Sequence, residues 1–220
     1  MRNNRYETDG RRHTKVSFII LQVQRYKNGE YSGGFYMKEI KQQVIHSWKE
    51  LKSVRTLAIA AMLIGVGVVL SFFTISITES QRVGFSSLAN EMIAFLFGPI
   101  AGSISAGVGD IVKYLIRPTG PFFPGFTVSA LTAGFIYGII LYKRPVTFAR
   151  VLMANIAVTL IVNMTLNNIW LSIMYGSRTF LGHLIVRAPI QIATIPVEAV
   201  LFYMIAKVLK EAKVFTILKK

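Results

Sequence analysis

Charged residues are absent from three long stretches of the chain, residues 56–78, 118–142 and 151–177, and apolar side chains dominate each of them. An α-helix needs about 20 apolar residues to cross the hydrocarbon core of a bilayer, and all three stretches reach that length. The pattern therefore predicts an all-α integral membrane protein.

A further apolar stretch, residues 83–116, would form a helix about 50 Å long, which is too long for a single crossing. Gly98 and Pro99 interrupt this stretch, and we expect a tight turn there between two shorter helices. Another apolar region follows residue 183. The six predicted transmembrane helices cover approximately residues 56–75, 86–97, 100–116, 126–142, 149–172 and 183–206.

Composition supports the membrane assignment, because 53% of the 220 residues are hydrophobic and only 16% are charged. The net charge of +15 could indicate a nucleic-acid-binding protein. However, thirteen Lys and Arg residues gather in 37–55, 143–150 and 207–220, against five in the rest of the chain after Met37. The positive-inside rule then predicts a cell-membrane protein with both termini in the cytoplasm.

The two ends of the chain differ from its apolar middle. Residues 1–36 are polar and basic, and codons for Ser32-Gly33-Gly34 can contain a ribosome-binding sequence just before Met37. We therefore expect a translated leader with the native start at Met37, or else a disordered tail. The predicted regions are a leader-like extension 1–36, an amphipathic cytoplasmic helix 37–55, a six-helix transmembrane domain 56–210 and a basic cytoplasmic tail 211–220.

Polar residues concentrate towards the predicted outer ends of several spans. Polar groups are costly inside a bilayer, so they usually face a cavity or a partner. Amides and Asp can match the donors and acceptors of a heterocycle, aromatic rings can stack on it, and Arg or Lys can receive carboxylates. The candidate substrate-binding residues are Arg82, Asp110, Lys113, Arg117, Phe122, Phe123, Asn167, Asn168, Trp170, Tyr175 and Arg187.

These residues also have plainer explanations. Asp110 and Lys113 are spaced i, i+3 and could neutralise each other on one helix face. The Phe cluster could be an interfacial belt. In the first span, Ala58, Ala61 and Gly65 share a face that would suit either the docking of another protein or close internal packing.

Several classes of chemistry lack the residues they need. The chain has no cysteine, its three histidines are scattered, and it contains no phosphate-binding loop and no Ser/His/Asp arrangement. We therefore predict that the protein is not an enzyme, with no metal site and no cofactor. A six-helix chain with a binding site and no energy source of its own suggests a binding subunit that depends on a partner.

Four stretches carry a resemblance to a known family: RVGFSSLANEMIAFLFGPIAG (82–102), GPFFPGFT (120–127), NNIWL (167–171), and Arg187 followed by IPVEA (195–199). They resemble the substrate-binding S components of energy-coupling factor (ECF) vitamin transporters, and the last three are most similar to the folate-specific members. The resemblance covers residues 54–210.

The resemblance implies a bacterial membrane protein that binds folate from outside and associates with a transmembrane T subunit and two cytoplasmic ATPase subunits, which would use the ATP. The face formed by Ala58, Ala61 and Gly65 would dock on the T subunit, although the family's second Ala is Gly65 here. The pterin would lie near Asp110, Asn167, Asn168 and Trp170.

The glutamate carboxylates of folate would then point towards the arginines near the outer surface. The resemblance implies Arg82, Arg117, Arg178 or Arg187 for this role. Two alternatives stay open: an S component for another heterocycle, such as a thiamine precursor or riboflavin, and a structural membrane protein without a ligand.

Overall fold

The structure, a computed structural model, describes residues 33–78, 81–118, 120–176 and 180–211, which are predominantly helical. The α-helices in these ranges are α1 Gly33–Leu51, α2 Val54–Ser71, α3 Ser86–Phe97, α4 Pro99–Ile116, α5 Pro124–Leu141, α6 Phe148–Val158, α7 Asn167–Tyr175 and α8 Phe180–Glu211. A π-helical segment, Thr159–Leu166, connects α6 to α7 without a break. Residues from Gln43 onward form one compact unit, to which the packing described below belongs.

The predicted leader 1–36 and basic tail 211–220 lie for the most part outside the described residues. The predicted amphipathic helix 37–55 corresponds to α1, which begins before Met37 and ends at Leu51. Lys52 and Ser53 separate it from α2.

Four helical stretches in the described part of the chain are long and apolar enough to cross a membrane: Val54–Ser71, Pro124–Leu141, Phe148–Met174 and Arg187–Leu209. Helix α3 is apolar but shorter. Large apolar side chains such as those of Met62 and Leu160 are exposed on the outside of the bundle. An exposed apolar surface of this kind is expected for helices that contact lipid, so the chain is a multi-pass membrane protein.

One short segment departs from the all-α expectation. The first membrane helix ends at Ser71, and two antiparallel strands, β1 Ile75–Thr78 and β2 Gln81–Val83, follow where the sequence predicted the end of a span and a polar connection. The hydroxyl of Thr74 donates to the carbonyl oxygen of Ser71 at 2.7 Å, which satisfies one of the last carbonyls of α2. This local hydrogen bond competes with further helix and helps to explain the early end.

The predicted turn at Gly98-Pro99 is confirmed. Gly98 has a positive φ of 91°, and a Cβ at this position would lie 2.9 Å from the Cβ of Ser47. Pro99 begins α4, where its missing N–H costs nothing. The Ser47 hydroxyl, fully buried, accepts hydrogen bonds from the backbone N–H groups of Ile100 and Ala101 at 3.0 and 2.9 Å. Ser47 therefore caps α4 from a distant part of the sequence.

The main apolar core lies between α3, α5, α6 and α8, where Phe95 and Phe202 meet edge to face with ring centroids 6.0 Å apart.

Helices α3, α4 and α5 approach closely through small residues. A Cβ at Gly102 would lie 2.5 Å from the Cβ of Ala94 and 3.1 Å from the carbonyl oxygen of Gly134. Small residues of this kind let membrane helices pack at short distance.

Candidate functional site

The π-helical segment Thr159–Leu166 sets the orientation of α7. In a π-helix each residue turns less around the axis than in an α-helix, since the hydrogen bonds close over five residues instead of four. The hydroxyl of Thr165 donates to the carbonyl oxygen of Leu160 at 2.9 Å within this segment. The insertion rotates the side chains that follow it, including those of Asn167, Asn168 and Trp170, relative to α6. From the sequence alone, one regular helix is expected over about residues 149–172.

Arg187 on α8 and Asn168 on α7 form a buried polar link. The Nη1 group of Arg187 donates to Oδ1 of Asn168 at 3.1 Å, and the two side chains are 8% and 0% exposed. Nδ2 of Asn168 donates to the carbonyl oxygen of Met164 at 2.9 Å, so both polar atoms of this side chain are engaged. The structure thus brings two predicted site residues into direct contact.

Trp170 is held by α5 and by the loop that precedes it. Its indole Nε1 donates to the hydroxyl oxygen of Ser129 at 3.0 Å, and its ring lies 5.8 Å from the ring of Phe123 at an angle of 47°. Gly125 lies against both rings, because a Cβ there would be 2.5 Å from Phe123 and 2.6 Å from Trp170. The aromatic pair is therefore packed tightly around a glycine.

Asp110 on α4 accepts a hydrogen bond from the hydroxyl of Thr127 on α5 at 2.8 Å. Lys113, three residues further along α4, is half-buried like Asp110 and interacts with its charge. Two groups therefore act on the carboxylate: the hydroxyl of Thr127 orients it, and Lys113 partly balances its charge.

Two predicted site residues lie in contacts of their own. Arg117 donates from Nη1 to the carbonyl oxygen of Ser71, and its guanidinium lies 5.6 Å from the centroid of the Phe72 ring. It thus interacts with the C-terminal end of α2, where a cation is favourable. Phe122 is half exposed and packs on Tyr114, with ring centroids 5.0 Å apart.

For the remaining predicted residues the structure describes fewer contacts. Arg82 lies on β2 opposite Ser76, and Tyr175 ends α7, but neither side chain is among those described. Asn167 donates from Nδ2 to Oδ1 of Asn163 at 3.2 Å, within the same continuous helix. Its own Oδ1 is buried and receives no hydrogen bond from the residues that the structure describes. That oxygen is an acceptor without a donor.

Thr127 and Ser129 are the site residues that the sequence analysis missed. Each provides a hydroxyl on the first turns of α5, and each holds a predicted residue from another helix. The GPFFPGFT motif already included Thr127, but a hydroxyl in an apolar helix gives no sequence signal for its partner. The N-terminal turns of α5 thereby connect α4 and α7, and α7 connects to α8.

The small-residue face of α2 is exposed. Ala58, Ala61 and Gly65 all lie on the outside of the bundle, and a Cβ built on Gly65 would have no atom within 4 Å. The inward side of the same helix is formed by Ala60, Gly67 and other buried residues. Packing among the described residues therefore does not explain the exposed face.

Chemically, the contacts supply a carboxylate on α4, a guanidinium bonded to an amide between α8 and α7, and two aromatic rings packed between α7 and the loop before α5. This set can recognise a flat polar molecule, since the rings offer stacking surface and the polar groups fix its orientation. In the part of the chain that the structure describes, no group of three His, Asp or Glu residues could hold a metal ion.

Comparison with known proteins agrees with this chemistry. Residues 55–206 match the family model "ECF transporter, substrate-specific component". The chain is 33% identical over 156 residues to "Folate transporter FolT" of Clostridium novyi, covering 70% of this chain and 88% of that protein. It is 31% identical over 154 residues to the Leuconostoc mesenteroides protein of the same name, covering 68% and 83%.

A solved structure is also similar. The "Crystal structure of FolT bound with folic acid" superimposes with a TM-score of 0.64 at 32% identity, covering 70% of this chain and 93% of that one. The family match and the relatives both span more than two thirds of the sequence. This chain therefore belongs to the substrate-specific components of ECF transporters, which are transport proteins and not enzymes.

Proposed function

We propose that this protein is the folate-binding S component of an ECF transporter, which takes up folate from outside a bacterial cell. The observation that carries the proposal is the buried contact of Arg187 with Asn168, two residues along α7 from Trp170, whose ring packs on Phe123. These groups suit the two halves of folate, an aromatic pterin with ring donors and acceptors and a glutamate with two carboxylates.

The pterin would lie near Asp110, Asn167, Asn168 and Trp170. Asp110 is held by Thr127, and the unpartnered Oδ1 of Asn167 offers an acceptor for a ring N–H. A donor on the ligand would relieve the cost of leaving that buried oxygen without a hydrogen bond.

The glutamate carboxylates would meet a cationic group, and we assign this role first to Arg187. Arg117 is a weaker choice than the sequence suggested, because its guanidinium already contacts the end of α2. Arg82 and Arg178 remain candidates at the outer surface. Lys113, half-buried near Asp110, adds positive charge in the same region.

Calorimetry of the purified chain in detergent tests the proposal. We expect folate to bind with measurable heat, whereas thiamine and riboflavin do not. A response to riboflavin or to a thiamine precursor without a response to folate would assign the chain to another vitamin. No heat with any of these compounds would favour a structural membrane protein.

The exposed face of α2 formed by Ala58, Ala61 and Gly65 would dock on the T subunit of the transporter. A surface without large side chains allows another helix to approach closely, and none of the described residues covers Gly65. Two ATPase subunits attached to the T subunit would supply the energy, so this chain would need no cofactor.

The proposed topology has six membrane crossings with both termini in the cytoplasm. The four long apolar helices would be joined by α3 and α4, which meet at the Gly98-Pro99 turn. Because the chain has no cysteine, single cysteines can report the topology cleanly. Pro121→Cys should react with an impermeant maleimide on intact cells, whereas Arg144→Cys should react only after lysis; the reverse pattern would invert the topology.

A further inference from the structure

A carboxyl group lies in the middle of the bundle without a hydrogen-bond donor. Glu91 on α3 is 0% exposed, and neither of its carboxylate oxygens receives a hydrogen bond from the described residues. A bare carboxylate buried in this way is very costly, since it loses its hydration and gains nothing in return. Glu91 takes no part in the proposed folate site.

Two other groups interact with Glu91. The hydroxyl of Tyr137 on α5 lies beside it, and Glu198 on α8 is close enough to interact with it through its charge. Helices α2 and α4 also pack against α3, but their charged residues Arg55, Asp110 and Lys113 are not among the groups that act on Glu91. Among the described groups that act on this carboxyl there is therefore no cation.

The direction of one hydrogen bond shows what Glu91 requires. The Tyr137 hydroxyl donates to Oδ1 of Asn155 on α6 at 2.7 Å, and both residues are buried. A hydroxyl has one proton, so towards Glu91 the Tyr137 oxygen can only accept. A carboxylate has nothing to donate, whereas a protonated carboxyl does.

The orientation of the Asn155 amide decides whether Glu91 needs a proton. In the observed orientation Tyr137 donates to Asn155, so the link between Glu91 and Tyr137 lacks a proton, while Nδ2 of Asn155 is buried and has no acceptor among the described residues. If the amide were reversed, Asn155 would donate to Tyr137 and Tyr137 to Glu91, and the amide oxygen would then be buried without a donor.

We propose that Glu91 is a proton-binding site, whose carboxyl stays protonated at neutral pH and donates to the Tyr137 oxygen. The added proton completes a series of hydrogen bonds in which Glu91 donates to Tyr137 and Tyr137 donates to Asn155. This series joins α3, α5 and α6. It also removes the need for a basic partner in the apolar core. This inference does not depend on the identity of the vitamin.

Infrared spectroscopy of the full chain in lipid nanodiscs tests the proposal. We expect a carbonyl stretching band of a protonated carboxyl at neutral pH, which Glu91→Gln abolishes. Glu198→Gln, the matched control on α8, should leave that band in place. Tyr137→Phe removes the acceptor, so the band should remain but shift to the higher frequency of a carboxyl with a weaker hydrogen bond.

Three results would overturn the proposal. Absence of the band in the wild-type chain at neutral pH would show that Glu91 is ionised, and a melting temperature that then depends on Na⁺ would assign the site to a cation. Loss of the band in Glu198→Gln would assign the proton to Glu198 instead of Glu91. If Glu91→Gln does not fold, an unshifted band in Tyr137→Phe would still exclude Glu91 as its source.

Discussion

Arg187 donates a hydrogen bond to Asn168 at 3.1 Å and thereby connects α8 to α7 inside the bundle. The contact determines which end of the Asn168 amide faces Arg187, since the other end is bonded to the carbonyl of Met164. A guanidinium next to an amide of defined orientation is a recognition element for a polar ligand. It also couples the two helices mechanically.

Arg187→Ala should weaken folate binding by more than tenfold, which corresponds to about 1.4 kcal/mol. The substitution removes the cation proposed to receive a carboxylate and leaves Oδ1 of Asn168 without this donor. Lys207→Ala, which changes an exposed cation on the same helix, is the control and should bind folate normally. Calorimetric titration measures both; equal affinity in the two variants would contradict the assigned site.

Ser129→Ala should reduce folate affinity several-fold, because the Trp170 indole loses its acceptor and a buried donor without a partner costs about 1–3 kcal/mol. Ser129→Thr keeps the hydroxyl and should restore much of the binding. Ser103→Ala removes a different hydroxyl bond to α5, to the carbonyl of Leu131 at 2.9 Å, and serves as the control.

Fluorescence can follow this effect at one residue. The chain has two tryptophans, and Trp48→Phe leaves Trp170 as the sole indole. Folate should quench the emission of Trp170 in this background. If Ser129→Ala and Ser103→Ala gave the same quenching curve as their parent, Ser129 would have no role in positioning the ring.

Gly102→Ala should lower the stability of the folded protein by about 1–3 kcal/mol, as expected for overpacking. The new methyl group would meet Ala94 at 2.5 Å where three helices cross. Gly65→Ala makes the same chemical change on an open surface, so its melting temperature should not fall. Thermal unfolding in detergent compares the two variants. If both lost a similar amount of stability, the close helix approach at Gly102 would not be the cause of the loss.

Gly65→Trp should block assembly with the T subunit while the isolated chain still binds folate. The large ring would cover the small-residue face of α2, where no described atom lies within 4 Å of a Cβ at Gly65. Val66→Trp places the same ring about 100° around the helix on another exposed surface and should assemble normally. Co-purification with the complete transporter measures assembly. If both variants assembled normally, the proposed docking face would be refuted.

Local patterns in the sequence were sufficient for much of the fold. Uncharged apolar stretches identified the long helices, and Gly98-Pro99 identified the turn, because both depend on the composition of neighbouring residues. The motifs at 82–102 and 120–127 and those around Asn168 and Arg187 also indicated the family. The same patterns missed the β-hairpin after Ser71, since a short polar segment carries little periodic signal.

The tertiary structure alone decided which side chains meet. A hydrophobic stretch specifies that a helix forms but not its rotation about its own axis, and the π-helical segment Thr159–Leu166 changes that rotation just before Asn168. For this reason the partnerships of Trp170 with Ser129 and of Arg117 with the end of α2 could not be read from spacing. The sequence by itself determined the membrane helices and the family, whereas contacts between residues far apart in the chain decided how the site is assembled.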